Sequence, residues 1–175
     1  SVSPDLQEQL LNRGEVDGSL VFNVTSYMNL VSQGFDPDTD FRWFPYGDYG
    51  LEIYSNGVMV SQELLRDNPE AVAGLVRAIN RGVQDVLADP EAGIAVIGEI
   101  EGFLDQEAEL LRLDFAVENL IDSEEARELG VGAVDMDRLT RSVETIADLY
   151  DLESVPEASA VFTDEFLPAR EERGL

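Results

Sequence analysis

The chain has 175 residues, 44% of them apolar, and its 37 acidic side chains against 11 basic ones give a formal net charge of −26. Such a surface repels phosphate backbones and anionic lipid, which excludes nucleic acid as a partner and argues against direct membrane insertion. There is no Cys and no His, and every basic residue is Arg rather than Lys, so disulfide frameworks, zinc clusters, thiol and imidazole catalysis lack their parts. The acids are spread along the sequence instead of forming runs, the pattern of a salt-adapted protein whose self-repulsion is relieved by screening.

Ser3-Pro4 reads as the start of a first helix, with Gly14 closing it and Leu6, Leu10 and Leu11 on one face. Val16 to Phe22 reads as a strand, weakened by Gly18. Asn23 or Thr25 can cap a second helix that runs through Tyr27, Met28, Leu30 and Val31 to Gly34. Asp36-Pro37-Asp38 is a turn, and Phe41 to Pro45 a second strand ended by proline. An aromatic loop follows at 46–50, then strand segments Leu51 to Tyr54 and Val58 to Val60 around Ser55-Asn56-Gly57.

Beyond residue 61 the pattern is helical. Ser61 caps a short helix, Asn68-Pro69-Glu70 starts a long one to Ala88, and Asp89-Pro90-Glu91 repeats that start signal. Val72, Leu75, Val76, Ile79, Val83, Val86 and Leu87 form one apolar stripe. Further helices are expected at 90–101, 105–120, 123–129 and 137–150, with Gly130-Val131-Gly132 as a break and Asp135 as a cap. The Glu/Arg-rich end after Phe162 to Pro168 is expected to fray. So few short strands cannot carry this much helix, so the expected fold class is α/β, helix-rich after residue 61, as the C-terminal portion of a larger protein.

The candidate binding residues sit early. Asn23, Thr25 and Ser26 open a helix, where free backbone donors suit a ligand cradle, although simple capping would use only one of them. Tyr46, Asp48, Tyr49 and Tyr54 give a loop unusual aromatic content; rings with polar tips suit a flat heterocycle. Trp43 and Phe44 beside them read as core packing. Glu52, among apolar residues, can accept bonds from an amino-pyrimidine edge or pair with an ammonium group, and Asn56 completes the set. Asp17, Glu124-Glu125 and Asp135-Asp137 read as caps and solvated acids. The Asp36 to Asp40 run lacks the Gly and distant Glu of a calcium loop, so no metal site, cofactor or catalytic residue is assigned.

The stretch from Tyr46 to Pro90 resembles the NMT1/THI5-like family, the solute-binding proteins of ABC importers related to those for thiamine-pyrimidine precursors and alkanesulfonates. Leu10 to Gly18, Asp67-Asn68-Pro69-Glu70 through Arg77-Ala78, Leu129-Gly130-Val131-Gly132 with Asp135 to Leu139, and Phe162 to Pro168 resemble further family segments in the same order. The resemblance implies a type II periplasmic-binding-protein-like fold whose two lobes close on a ligand about a hinge. It places residues 1–45 at the end of lobe two with the hinge return, and 46–175 in the C-terminal part of lobe one. It implies a non-enzymatic receptor that hands a small organic, pyrimidine-like solute to an ABC permease, outside the cell or in the periplasm. The signal or lipid anchor for that location would lie upstream. The pyrimidine-precursor synthases of the same superfamily are the enzymatic alternative, but their cysteine cluster has no counterpart at Gly50-Leu51-Glu52-Ile53-Tyr54; an alkanesulfonate or other solute is the alternative ligand.

Overall fold

The computed structural model describes residues 6–175; the expected Ser3-Pro4 helix start lies outside them. The described residues fold as a string of helices: α1 (Gln7–Asn12), α2 (Asn23–Ser32), α3 (Pro37–Asp40), α4 (Gln62–Asp67), α5 (Pro69–Ala88), α6 (Pro90–Ile100), α7 (Gln106–Ala116), α8 (Glu124–Leu129), α9 (Met136–Leu149) and α10 (Ala158–Val161). A 3-10 turn at Tyr46–Tyr49 and a wider π turn at Val117–Ile121 interrupt the connections.

The helix starts follow from local chemistry. Side-chain oxygens of Ser61, Asn68, Asp89, Asp105, Ser123 and Asp135 each accept the backbone N–H three residues on, at 2.8–3.2 Å. Each bond satisfies one of the donors a helix start leaves open. α2 differs from expectation: it begins at Asn23 itself, Phe22 stands at the cap position, and no side chain caps it. The helix expected over 105–120 is helical throughout, with α7 passing after Ala116 into a π-helical turn, Val117–Ile121, where Asp122 N–H bonds the Val117 carbonyl at 2.8 Å, five residues back.

The expected α/β class is not what the described residues form. The segments read as strands (16–22, 41–45, 51–54 and 58–60) are extended or irregular chain, and no two strands pair among the described residues. A strand exists only through a neighbour's ladder of hydrogen bonds; apolar, β-branched composition in these segments supplies side chains that favour a sheet but no partner for the backbone.

Helices pack in sequence order, α4 on α5, α5 on α6, α6 on α7, and α2 then joins α7. Tyr27 of α2 lies 4.3 Å, ring centre to ring centre, from Phe115 of α7. Met28, Leu30, Val72, Ile94, Leu139 and Ala147 are buried, yet no large side chain among the described residues is completely buried. The apolar stripe of α5 is covered at Val72, while Leu75 and Ile79 of the same stripe are exposed. Val96, Ile97 and Ile100 of α6, with Phe103 after it, also stand in solvent.

The C-terminal end is docked, contrary to the expectation that it frays. Arg173 is buried; its Nε donates to the Pro168 carbonyl at 2.8 Å and its Nη1 to the Val131 carbonyl at 3.0 Å. Its own carbonyl accepts the Val131 N–H at 2.8 Å. Arg170 donates to the carbonyls of Arg127 and Glu128 at the end of α8. The Arg170 guanidinium thus satisfies carbonyls that a helix C-terminus leaves open, where the helix dipole favours positive charge. Gly130, at φ +83° and ψ 152°, adopts a conformation open only to glycine and brings the chain under Arg173.

Candidate functional site

The candidate site is a short segment with an exposed aromatic face and an anchored base. From Pro45 the chain turns through the 3-10 turn; Gly50, at φ +88°, reverses it, and the Leu51 N–H donates to the Tyr46 carbonyl at 3.1 Å. Tyr46 and Tyr49 remain 57% and 68% exposed, and Phe44, expected in the core, is 57% exposed. Phe44 and Tyr49 lie 6.1 Å apart, and the Arg42 guanidinium sits 5.1 Å above the Phe44 ring. The result is a cation and two rings in series on one surface. Trp43 alone of this group packs as expected: its Nε1–H donates to the Pro37 carbonyl at 2.9 Å and its ring lies 6.2 Å from Tyr27. Trp43 ties the segment to α2.

Tyr46, Asp48 and Tyr49 therefore share one turn. Asn56 stands exposed farther along the irregular stretch. Asn23 and Thr25 lie in the first turn of α2, and the Asn23 side chain accepts the Val24 N–H at 2.9 Å. Asn23 is one helical turn from Tyr27, so both occupy the same side of α2. Ser26 is buried instead, its hydroxyl donating to Glu8 of α1.

Glu52 and Tyr54 meet α8 and α9. The Glu52 carbonyl accepts from Arg138 Nε at 3.2 Å and Ser142 Oγ at 3.1 Å. The Tyr54 hydroxyl donates to Glu125 and accepts the Asp135 N–H at 2.8 Å. Arg138 Nη1 bonds Glu125 Oε2 at 3.1 Å, with its guanidinium 4.4 Å above the Tyr54 ring. Tyr54, expected to offer its hydroxyl to a ligand, has that hydroxyl engaged as donor and acceptor within the fold. Glu125, expected to be a solvated acid, is a partner in this cluster. Sequence carries no signal for it, because Tyr54 and Glu125 are 71 residues apart.

Burial pushes the Tyr54 phenol up to about 12, with the hydrogen bond to Glu125 adding to it. Burial works against the Glu125 carboxylate, but bonds from Tyr54, Arg138 and the Asp135 amide together outweigh it and hold the group below its ordinary value. The signs set two pH limits. The Tyr54 contribution is complete below 10.0, its unfolded value, and is lost as pH rises through about 12. That of Glu125 is present above 4.5 and lost as pH falls through the lowered value. The urea stability of the protein should therefore exceed that of Tyr54→Phe by a margin that shrinks by about 2 kcal/mol on going from neutral pH to pH ~12. A margin constant across that range contradicts the assignment.

Two open hollows lie elsewhere. One, of about 230 Å³, is bounded by Val86, Leu87 and Pro90 against Leu113 and Val117; the other, of about 170 Å³, lies between α5 and the C-terminal segment around Phe166. Neither touches residues 42–56. Among the described residues no three His, Cys, Asp or Glu side chains converge as a metal site, and no helix is long and apolar enough to cross a membrane.

Over residues 5–93 the sequence matches the family described as NMT1/THI5 like, and the chain belongs to that family. It is also similar to the riboflavin-binding protein RibY of Chloroflexus aurantiacus, at 31% identity over 124 residues, covering 67% of this chain and 34% of that protein. The chain thus spans about a third of the length of this relative. No solved structure matches it.

Proposed function

We propose that the protein is the solute-binding component of an ABC importer and that it captures a flat heteroaromatic solute, with a flavin as the favoured ligand. The observation that carries this reading is the exposed Arg42–Phe44–Tyr49 series, with Tyr46 and Asp48 in the same turn and an exposed Glu52 following in the chain. Exposed rings on a short anchored segment offer stacking area, and the carboxylates accept from ring N–H groups. The relative named for riboflavin binding supports a flavin; the imide N–H of the flavin ring and the ribityl hydroxyls are donors that a Glu52 carboxylate can accept from. Asn23, Thr25 and Asn56 belong to the same proposed site, with Tyr54 bracing it.

In this reading residues 1–45 and 46–175 belong to two lobes, and ligand contacts to both shift the population toward a closed form. The closed form is what a permease in the membrane would recognise, at the periplasmic or extracellular face. No step requires a nucleophile, a proton shuttle or a cofactor, so the role is binding rather than catalysis. Glu52→Gln tests the site. Losing a charge-assisted bond costs about 1.5–3 kcal/mol, a ten- to hundredfold weaker affinity for riboflavin. The melting point of the free protein should stay put, since the Glu52 carboxylate has no ion pair among the described residues. Unaltered riboflavin affinity would remove Glu52 from the site.

A further inference from the structure

We propose that Arg138 and Ser142 of α9 are positioning residues for Glu52: they hold the main chain of the ligand segment so that its carboxylate stands at a fixed place. This rests on the reading of residues 42–56 as ligand-facing.

Glu52 lives in two environments. Its carbonyl takes donors from two α9 side chains, Arg138 Nε at 3.2 Å and Ser142 Oγ at 3.1 Å. Its side chain is exposed and makes no hydrogen bond or ion pair among the described residues. A serine in a helix already has a local acceptor, and Ser142 uses it, donating to the Arg138 carbonyl at 2.8 Å. The second acceptor, 90 residues away in sequence, is therefore an added link between α9 and the segment. Arg138 does more. One guanidinium reaches the Glu52 carbonyl, the Glu125 carboxylate and the face of the Tyr54 ring, and only a planar fork can serve three such directions at once.

Residues 51–61 contain no helix or strand, so their placement depends on such links, these two and those of the Tyr54 hydroxyl. A segment held in place before the ligand arrives does not lose its conformational freedom on binding, and affinity gains accordingly. Slower dissociation is the expected kinetic form of that gain.

A Glu-specific protease tests the latch without ligand, because cleavage after Glu52 requires its carbonyl to leave Arg138 and Ser142. Opening by such local steps sets the cleavage rate when reclosing is fast. Ser142→Ala and Arg138→Met should each speed cleavage of the Glu52–Ile53 bond about tenfold, the scale of one lost hydrogen bond. Cleavage after Glu144, inside α9, should not change. Equal acceleration at both bonds, or at neither, overturns the proposal. Riboflavin titration then tests the consequence: the same variants should bind about tenfold more weakly, through faster dissociation. If Glu52→Gln weakens riboflavin binding and the α9 variants do not, the positioning role is overturned and the ligand reading stands. If the unaltered protein does not bind riboflavin, the ligand reading falls and the positioning role falls with it.

Discussion

The protein should melt on the order of 10 °C higher in molar KCl than in dilute buffer, which at about 2–4 °C per kcal/mol for a chain of this size reflects a few kcal/mol. The origin is the net charge of −26. Screening length falls from about 10 Å at 0.1 M salt to about 3 Å at 1 M, so repulsion between neighbouring surface acids is nearly abolished. Salt also weakens ion pairs, and this is the competing effect. Those of the described residues are mostly exposed, as Arg66–Asp67, Arg81–Asp85 and Arg127–Asp122 are. Exposed pairs contribute about 0–1 kcal/mol each, so relief of self-repulsion wins. An unchanged or lower midpoint in KCl would contradict salt adaptation.

Arg173→Met should destabilise the protein by about 3 kcal/mol, most of it from carbonyls left without donors at about 1–3 kcal/mol each. Met keeps the apolar stem and removes only the guanidinium, which in the native state bonds the Pro168 and Val131 carbonyls. No carboxylate among the described residues pairs with Arg173. Its charge is instead met by the carbonyl dipoles of Pro168 and Val131 at a buried position, an arrangement salt screens little. Arg170→Met, at an exposed position, is the comparison and should cost about 1 kcal/mol. Urea denaturation decides: a loss for Arg173→Met within about 0.5 kcal/mol of zero, the range of ordinary surface changes, would mean the tail is not docked.

What could be read from the sequence divides by distance along the chain. Helix starts were legible because a cap acts over three residues: Ser61, Asn68, Asp89 and Asp135 each bond the backbone where their spacing predicts. The strands were not, because 51–54 has strand-like residues while its observed partners are side chains of α9. Phe44 reads as core by its type yet is exposed, because burial depends on neighbours that composition does not name. The docked tail is not legible because Glu and Arg near an end suggest solvation, whereas Arg173 finds Val131 at a separation of 42 residues. The aromatic segment itself was legible: Tyr46, Asp48 and Tyr49 share the turn that Gly50 closes.

Titration of riboflavin into the protein, followed by quenching of the flavin's fluorescence, tests the central claim most directly. Stacking on exposed rings should quench the flavin in a saturable, one-to-one manner, and the melting point should rise with ligand concentration as binding to the native state requires. Undiminished fluorescence and an unmoved melting point at saturating riboflavin would contradict the account.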